Sequence, residues 1–223
     1  MVRSFLLIFL IIGFLHADDF DEFESEFVTQ DTEKVDFFYN YNQFMTDFNY
    51  SAYNMSVRPL NAIYTKIVPK FMRRGVNNFF HNLSSPLRFI TLFFSGKFKE
   101  SAYEFGTFVG NSTIGLAGIL RPFKYEKKSD FGLMLGRWGV PSGEHIVIPF
   151  LGPSNVRDAL MLPFNYAAQP SFYIQNDPYY IVPMVGLVDK TSEDQVLLNE
   201  AYKGLNPYIT IRDYYEKNRK DLL

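Results

Sequence analysis

GVNNFFHNLSSPLRFITLFFSGKF, residues 75–98, is too apolar for an ordinary protein surface and too short to cross a bilayer. Ser85 followed by Pro86 reads as an N-cap and first helical residue, and Gly96 as the stop, which predicts one short helix over 87–95. At about 1.5 Å per residue it covers roughly 15 Å, half of the roughly 30 Å hydrocarbon core of a membrane, so it cannot span. Stepping about 100° per residue, Leu87, Phe89, Ile90, Leu92, Phe93 and Phe94 point almost all the way round the helix axis. Such a helix needs apolar neighbours on every side. A protein core supplies them, and so does a half-immersed position in one lipid leaflet with protein behind. Arg73, Arg74, Arg88, Lys97 and Lys99 bracket the run, where long basic side chains can hold their heads at a phosphate surface.

Working outward, residues 97–113 read as a second helix with Ala102, Gly106 and Gly110 four apart, the spacing that lets helix backbones approach closely. Upstream, Tyr53, Val57, Leu60, Ile63, Tyr64 and Ile67 recur at helical spacing, with Pro59 implying a kink or break. Downstream, a polar connector at 124–130 leads into glycine- and proline-rich sequence in which 145–150 can pass for a strand. Helices are expected over 193–203 and from Asn206-Pro207 onward, the last with Tyr208, Ile211, Tyr214 and Tyr215 along one side.

At 223 residues without an internal repeat, one domain is the default. Aromatic residues make up 18% of the chain, an excess that suits an interface or an apolar ligand. Residues 1–17, with Arg3, an apolar run at 5–15 and Leu15-His16-Ala17, read as a cleaved signal peptide. Nine acids and one base follow between Asp18 and Asp36, so 18–47 is read as an acidic, flexible leader and 48–223 as the folded domain. From Phe37 onward, 20 Lys and Arg face 15 Asp and Glu, too small an excess for nucleic acid.

Catalytic chemistry finds little support. The chain has no Cys, which removes thiolate metal sites, Cys nucleophiles and disulfides. Only His81 and His145 lie beyond the signal peptide, with no paired His at helical spacing. Ser142 lies in GVPSG rather than a hydrolase elbow, and Gly132, Gly136 and Gly139 do not make a dinucleotide fingerprint. Arg157-Asp158 and Arg212-Asp213 are acid–base neighbours of a kind more often structural. No cofactor, metal or enzyme activity is expected.

Five blocks, taken together and in order, resemble the MlaA (VacJ) family of outer-membrane phospholipid-transport proteins: residues 48–54, GVNNFFHNLSSPLRFITLFFSGKF (75–98), FVGNSTIGLAGI (108–119), DFGLMLGRWGV with VIPFLGPSNVRDA (130–159), and NPYITIRDYYEKNR (206–219). The resemblance implies a mainly α, single-domain ring of short helices embedded in one leaflet of the outer membrane, with an amphipathic channel. It implies a non-catalytic component that removes phospholipids from the outer leaflet. The partners it implies are a trimeric porin and a soluble periplasmic lipid carrier (MlaC-like). One departure is plain: family members carry a lipidated Cys after the signal peptide, and Asp18 stands there in this chain. On the family pattern, Asn54-Met55 falls where an Asn-Phe pair lies in a helix that influences channel gating. Phe89, Leu92, Phe93 and Phe94 are expected to contact membrane lipid, with core packing as the alternative. Arg137 and Arg157 are candidate headgroup contacts, with turn-fixing as the alternative. Tyr208, Arg212 and Tyr215 are candidate carrier-docking residues. A porin-bound scaffold without lipid transport and a lipase-like enzyme are the competing functions.

Overall fold

The computed structural model describes residues 36–170 and 201–223. In chain order the elements are α1 (Tyr39–Ala52), a π-helical turn (Tyr53–Val57), α2 (Arg58–Ile67), α3 (Lys70–Leu83), α4 (Ser85–Phe94), α5 (Phe98–Thr113), α6 (Phe131–Arg137), β1 (His145–Ile148), β2 (Gly152–Asn155), α7 (Val156–Ala167) and α8 (Pro207–Asp221). The mainly helical expectation is met. The expected helix over 193–203 falls almost wholly outside the described residues.

Helix α4 runs as the sequence suggested, with its N-terminal boundary moved. Ser84, not Ser85, occupies the cap, and Ser85 is the first helical residue with Pro86 behind it. Ser84 Oγ donates back to the Phe80 carbonyl of α3, so a single residue joins two helices. At the other end Gly96 takes φ +74, a left-handed stop that a side chain would resist. The chain then reverses into α5, and the two helices pack as a hairpin. Pro59 does not break the chain. Lacking an N–H near the start of α2, it follows a turn in which Arg58 N–H reaches back to the Tyr53 carbonyl, five residues away, so the ladder slips by one residue and continues.

The folded unit begins at Asp36, earlier than the expected boundary at 48. Its first helix was hidden because the side chains it buries, Asn42 and Thr46, are polar. The same inversion recurs along the chain. α2 buries Asn61, α3 buries Asn82, and α5 buries Ser101, Glu104, Thr107 and Asn111. Phe44, Ile63, Ile67, Phe71, Phe93, Phe94, Phe98 and Phe105 stand exposed. Among the described residues, buried polar side chains outnumber buried apolar ones. The small-residue stripe of α5 is not a helix-packing seam: Gly106 faces open space, and Gly110 is covered by the ring of Phe123.

Helix α1 holds the antiparallel β1–β2 hairpin through two asparagines two turns apart. Asn42 donates to the His145 carbonyl (3.0 Å) and accepts from Val147 N–H (2.8 Å). Asn49 donates to the Ile148 carbonyl (3.0 Å) and accepts from Phe150 N–H (2.6 Å). Asn42 thus completes two backbone groups of β1, and Asn49 completes one at the end of β1 and one in the turn that follows. No helix among the described residues is long and apolar enough to cross a membrane.

Candidate functional site

A cavity of about 700 Å³ opens between α1, the start of α4, α6, the hairpin and α8, in the size range of small-molecule pockets. Its apolar walls include Leu87, Leu133, Val147, Phe150, Leu151 and Ile211, and Tyr50 and Tyr53 enter from α1 and the π turn. Among the described residues its charged groups are Arg88, Glu126, Lys128, Asp130 and Arg219. The space is therefore amphipathic, with one set of walls for hydrocarbon and another for charge.

Two networks hold the charged walls. In the first, Arg88 Nε donates to the fully buried Glu104 (2.6 Å), while its Nη2 donates to Ser85 Oγ (2.6 Å) and the His81 carbonyl (2.9 Å). Glu126, on the strap at 121–130, lies 2.9 Å from His81 and 3.1 Å from Arg121. Hydrogen bonding to His81 is the largest influence on the Glu126 carboxyl; partial burial opposes it, and with Arg121 adding its charge the pKa falls to about 2.

In the second network, Arg219 of α8 donates to both oxygens of Asp130 (2.6 and 3.0 Å) and pairs with Asp158 at 2.7 Å. Burial works against the Arg219 charge, but Asp130 and Asp158 more than offset it and raise its pKa. Burial likewise pushes the Asp158 carboxyl up, and Arg219, the Tyr215 hydroxyl and Arg157 bring it below its usual value. Gly132 leaves room for this cluster, because a Cβ there would stand 2.2 Å from Asp158 Oδ1.

Several expected site residues need correction. Leu92 is fully buried and cannot touch lipid, because it lies on the side of α4 turned to the protein. Phe93 and Phe94 are more than half exposed, and half-buried Phe89 packs edge-on against Phe105. Arg157 is buried and tied to Asp158 and the Val140 carbonyl, which removes it as a headgroup contact. Arg137 donates to Ser129 Oγ (2.7 Å) and the Leu222 carbonyl (2.9 Å), a joint between α6 and the chain end. Tyr208 is buried with its hydroxyl on Asp36, so it cannot form a docking surface. Tyr215 is half-buried on Asp158, and Arg212 pairs with Asp36 and Asp213. Asn54 and Met55 sit in the π turn, with Met55 exposed and Asn54 accepting from Arg58.

Sequence reasoning missed Asn42, Asn49, Glu104, Asp130 and Arg219 as organising residues. A usable signal existed in the polar spacing of Ser101, Glu104, Thr107 and Asn111, which is helical and marks a buried face with reversed polarity. Among the described residues no group of His, Asp or Glu is placed to hold a metal.

The MlaA lipoprotein family profile matches residues 34–222. Uncharacterized proteins of Rickettsia conorii and Rickettsia felis are 27% and 25% identical, each over 84% of this chain and 78% of the relative. The intermembrane phospholipid transport system lipoprotein MlaA of Escherichia coli (strain K12) is 29% identical over 126 residues, 53% of this chain and 50% of that one. A chain solved in work on the structural basis for maintenance of bacterial outer membrane lipid asymmetry has a TM-score of 0.73. It shares 23% identity and is matched over 85% of this chain and 99% of its own, which establishes a common fold.

Proposed function

The chain belongs to the MlaA lipoprotein family, and on that premise we propose that it conducts phospholipids through its cavity at the outer membrane. In this reading it removes mislocalised phospholipid from the outer leaflet and catalyses no chemical step. The observation that carries the reading is the pairing of an amphipathic cavity with helices whose large apolar side chains face outward. Exposed apolar surface of that extent suits lipid or a membrane protein neighbour. A short helix such as α4, with Phe93 and Phe94 outward and Leu92 inward, suits a ring of helices seated in one leaflet.

The finer parts follow the family pattern. A trimeric porin would hold the ring, and a soluble periplasmic carrier would receive the lipid. The exposed side of α8, with Lys217 and Lys220, replaces Tyr208 as the surface offered to that carrier. Asn54 and Met55 sit in a π turn, a local defect of the kind that often accompanies function, directly beside cavity-lining Tyr53.

The test is purification of the full chain in mild detergent followed by lipid analysis. Bound intact phospholipid is expected, together with a rise in outer-leaflet phospholipid in cells lacking the gene. A lipid-free protein and unchanged surface lipid would favour a porin-bound scaffold, and lyso-products would point to an enzyme.

A further inference from the structure

Of the five charged side chains that the described residues place on the cavity walls, four are committed to partners. Arg88 is held by Glu104, Glu126 by His81 and Arg121, and Asp130 and Arg219 by each other. Lys128 is the exception. It is exposed, and among the described residues its ammonium engages no carboxylate. Among the described residues, the cavity thus retains one uncompensated positive charge.

Its surroundings narrow what that charge can serve. Arg137 donates to the Leu222 carbonyl at 2.9 Å and to the Lys128 carbonyl at 3.5 Å, so the strap bearing Lys128 runs beside the end of α8. On α8, Tyr214 and Asn218 stand one turn apart on the cavity wall. Neither the hydroxyl nor the amide is engaged by another described residue. A cation, a hydroxyl and an amide can together surround an anionic group, supplying one charge-assisted bond and two neutral ones. The remaining walls are mainly apolar, including Leu133, Phe150 and Leu151. A ligand filling this space joins an anion to hydrocarbon bulk.

We propose that Lys128, with Tyr214 and Asn218 on the adjoining helix, forms a docking point for the phosphodiester of a phospholipid headgroup while acyl chains lie against the apolar walls. This site rests on the transport reading and adds to it a residue that distinguishes charged from uncharged lipids. It also replaces Arg157, whose guanidinium is already occupied.

The experiment uses the full chain in detergent micelles with fluorescently labelled phosphatidylglycerol, and with diacylglycerol and inorganic phosphate as competitors. Lys128→Glu is expected to weaken phosphatidylglycerol binding by about tenfold or more, as loss of a charge-assisted contact implies. Lys128→Arg should retain it. Diacylglycerol should bind wild type and Lys128→Glu alike, since it has no phosphate. Equal phosphatidylglycerol affinity in wild type and Lys128→Glu would overturn the docking point while leaving lipid conduction standing. Absence of phosphatidylglycerol binding to wild type would remove both. Displacement of the labelled lipid by inorganic phosphate at comparable concentration, lost in Lys128→Glu, would assign the site to free phosphate and overturn the lipid assignment.

Discussion

Arg88 and Glu104 meet at 2.6 Å between α4 and α5, with the glutamate fully buried and the arginine on the cavity wall. The second oxygen of Glu104 accepts from Lys127 N–H at 3.4 Å, so one carboxylate ties together two helices and the strap. Removing one partner of such a pair leaves the other charged and buried. Glu104→Ala is expected to lose about 3–5 kcal/mol of stability, seen as a lower thermal midpoint in detergent. The double variant Arg88→Met with Glu104→Leu should recover much of that loss, because the uncompensated charge is gone.

Asn42 supports a second prediction. Its amide satisfies His145 and Val147 on β1 and also donates to the Tyr208 hydroxyl (3.1 Å). Asn42→Ala strands buried polar groups and should cost roughly 2–4 kcal/mol. Hydrogen exchange at Val147 N–H is expected to accelerate, since that amide loses its acceptor. Asn42→Asp keeps the acceptor and should protect Val147 while weakening the contact to His145.

Acid should loosen the strap through Glu126. Its pKa is lowered from an ordinary 4.5 to about 2, chiefly by the hydrogen bond with His81. A carboxyl depressed on folding contributes stability that is complete above about pH 4.5 and is lost as pH falls toward about 2. Thermal midpoints of wild type and Glu126→Gln should therefore differ at neutral pH and converge in that acidic window. The gap will be modest, because the side chain is about one-third exposed.

Neighbouring residues of α4 should separate folding from membrane attachment. Leu92→Ala is expected to cost about 2–5 kcal/mol as a buried cavity mutation while leaving vesicle binding unchanged. Phe93→Ser with Phe94→Ser should change stability in detergent by only about 0.5 kcal/mol per site and weaken vesicle association, measured by flotation. Weakened folding in the Phe pair with unaltered flotation would return both rings to a protein contact.

Much of the local structure is legible in the sequence alone. The helix expected over 87–95 and found at 85–94, its stop at Gly96, the short strand near 145 and the Asn206-Pro207 helix start each follow from neighbours a few residues away. The Arg157-Asp158 and Arg212-Asp213 pairs also formed as ion pairs, at 3.1 and 2.9 Å. α1 was not legible, because it buries Asn42 and Thr46 and leaves Phe44 to solvent or lipid. A rule that sends apolar residues inward reads such a helix backwards.

The five ordered blocks were enough to determine the family and, with it, the helical class. What needed tertiary structure was the side of each helix that faces inward, and hence which charges remain free. Sequence spacing puts Arg88, Glu104, Asp130 and Arg219 on four separate elements and says nothing of their meeting. Only packing brings Arg88 to Glu104 and Arg219 to Asp130, each at 2.6 Å, and leaves Lys128 unmatched among the described residues. The physical reason is range: caps and turns are set by bonds between near neighbours, whereas charge pairing in a cavity depends on distances between segments far apart in the chain.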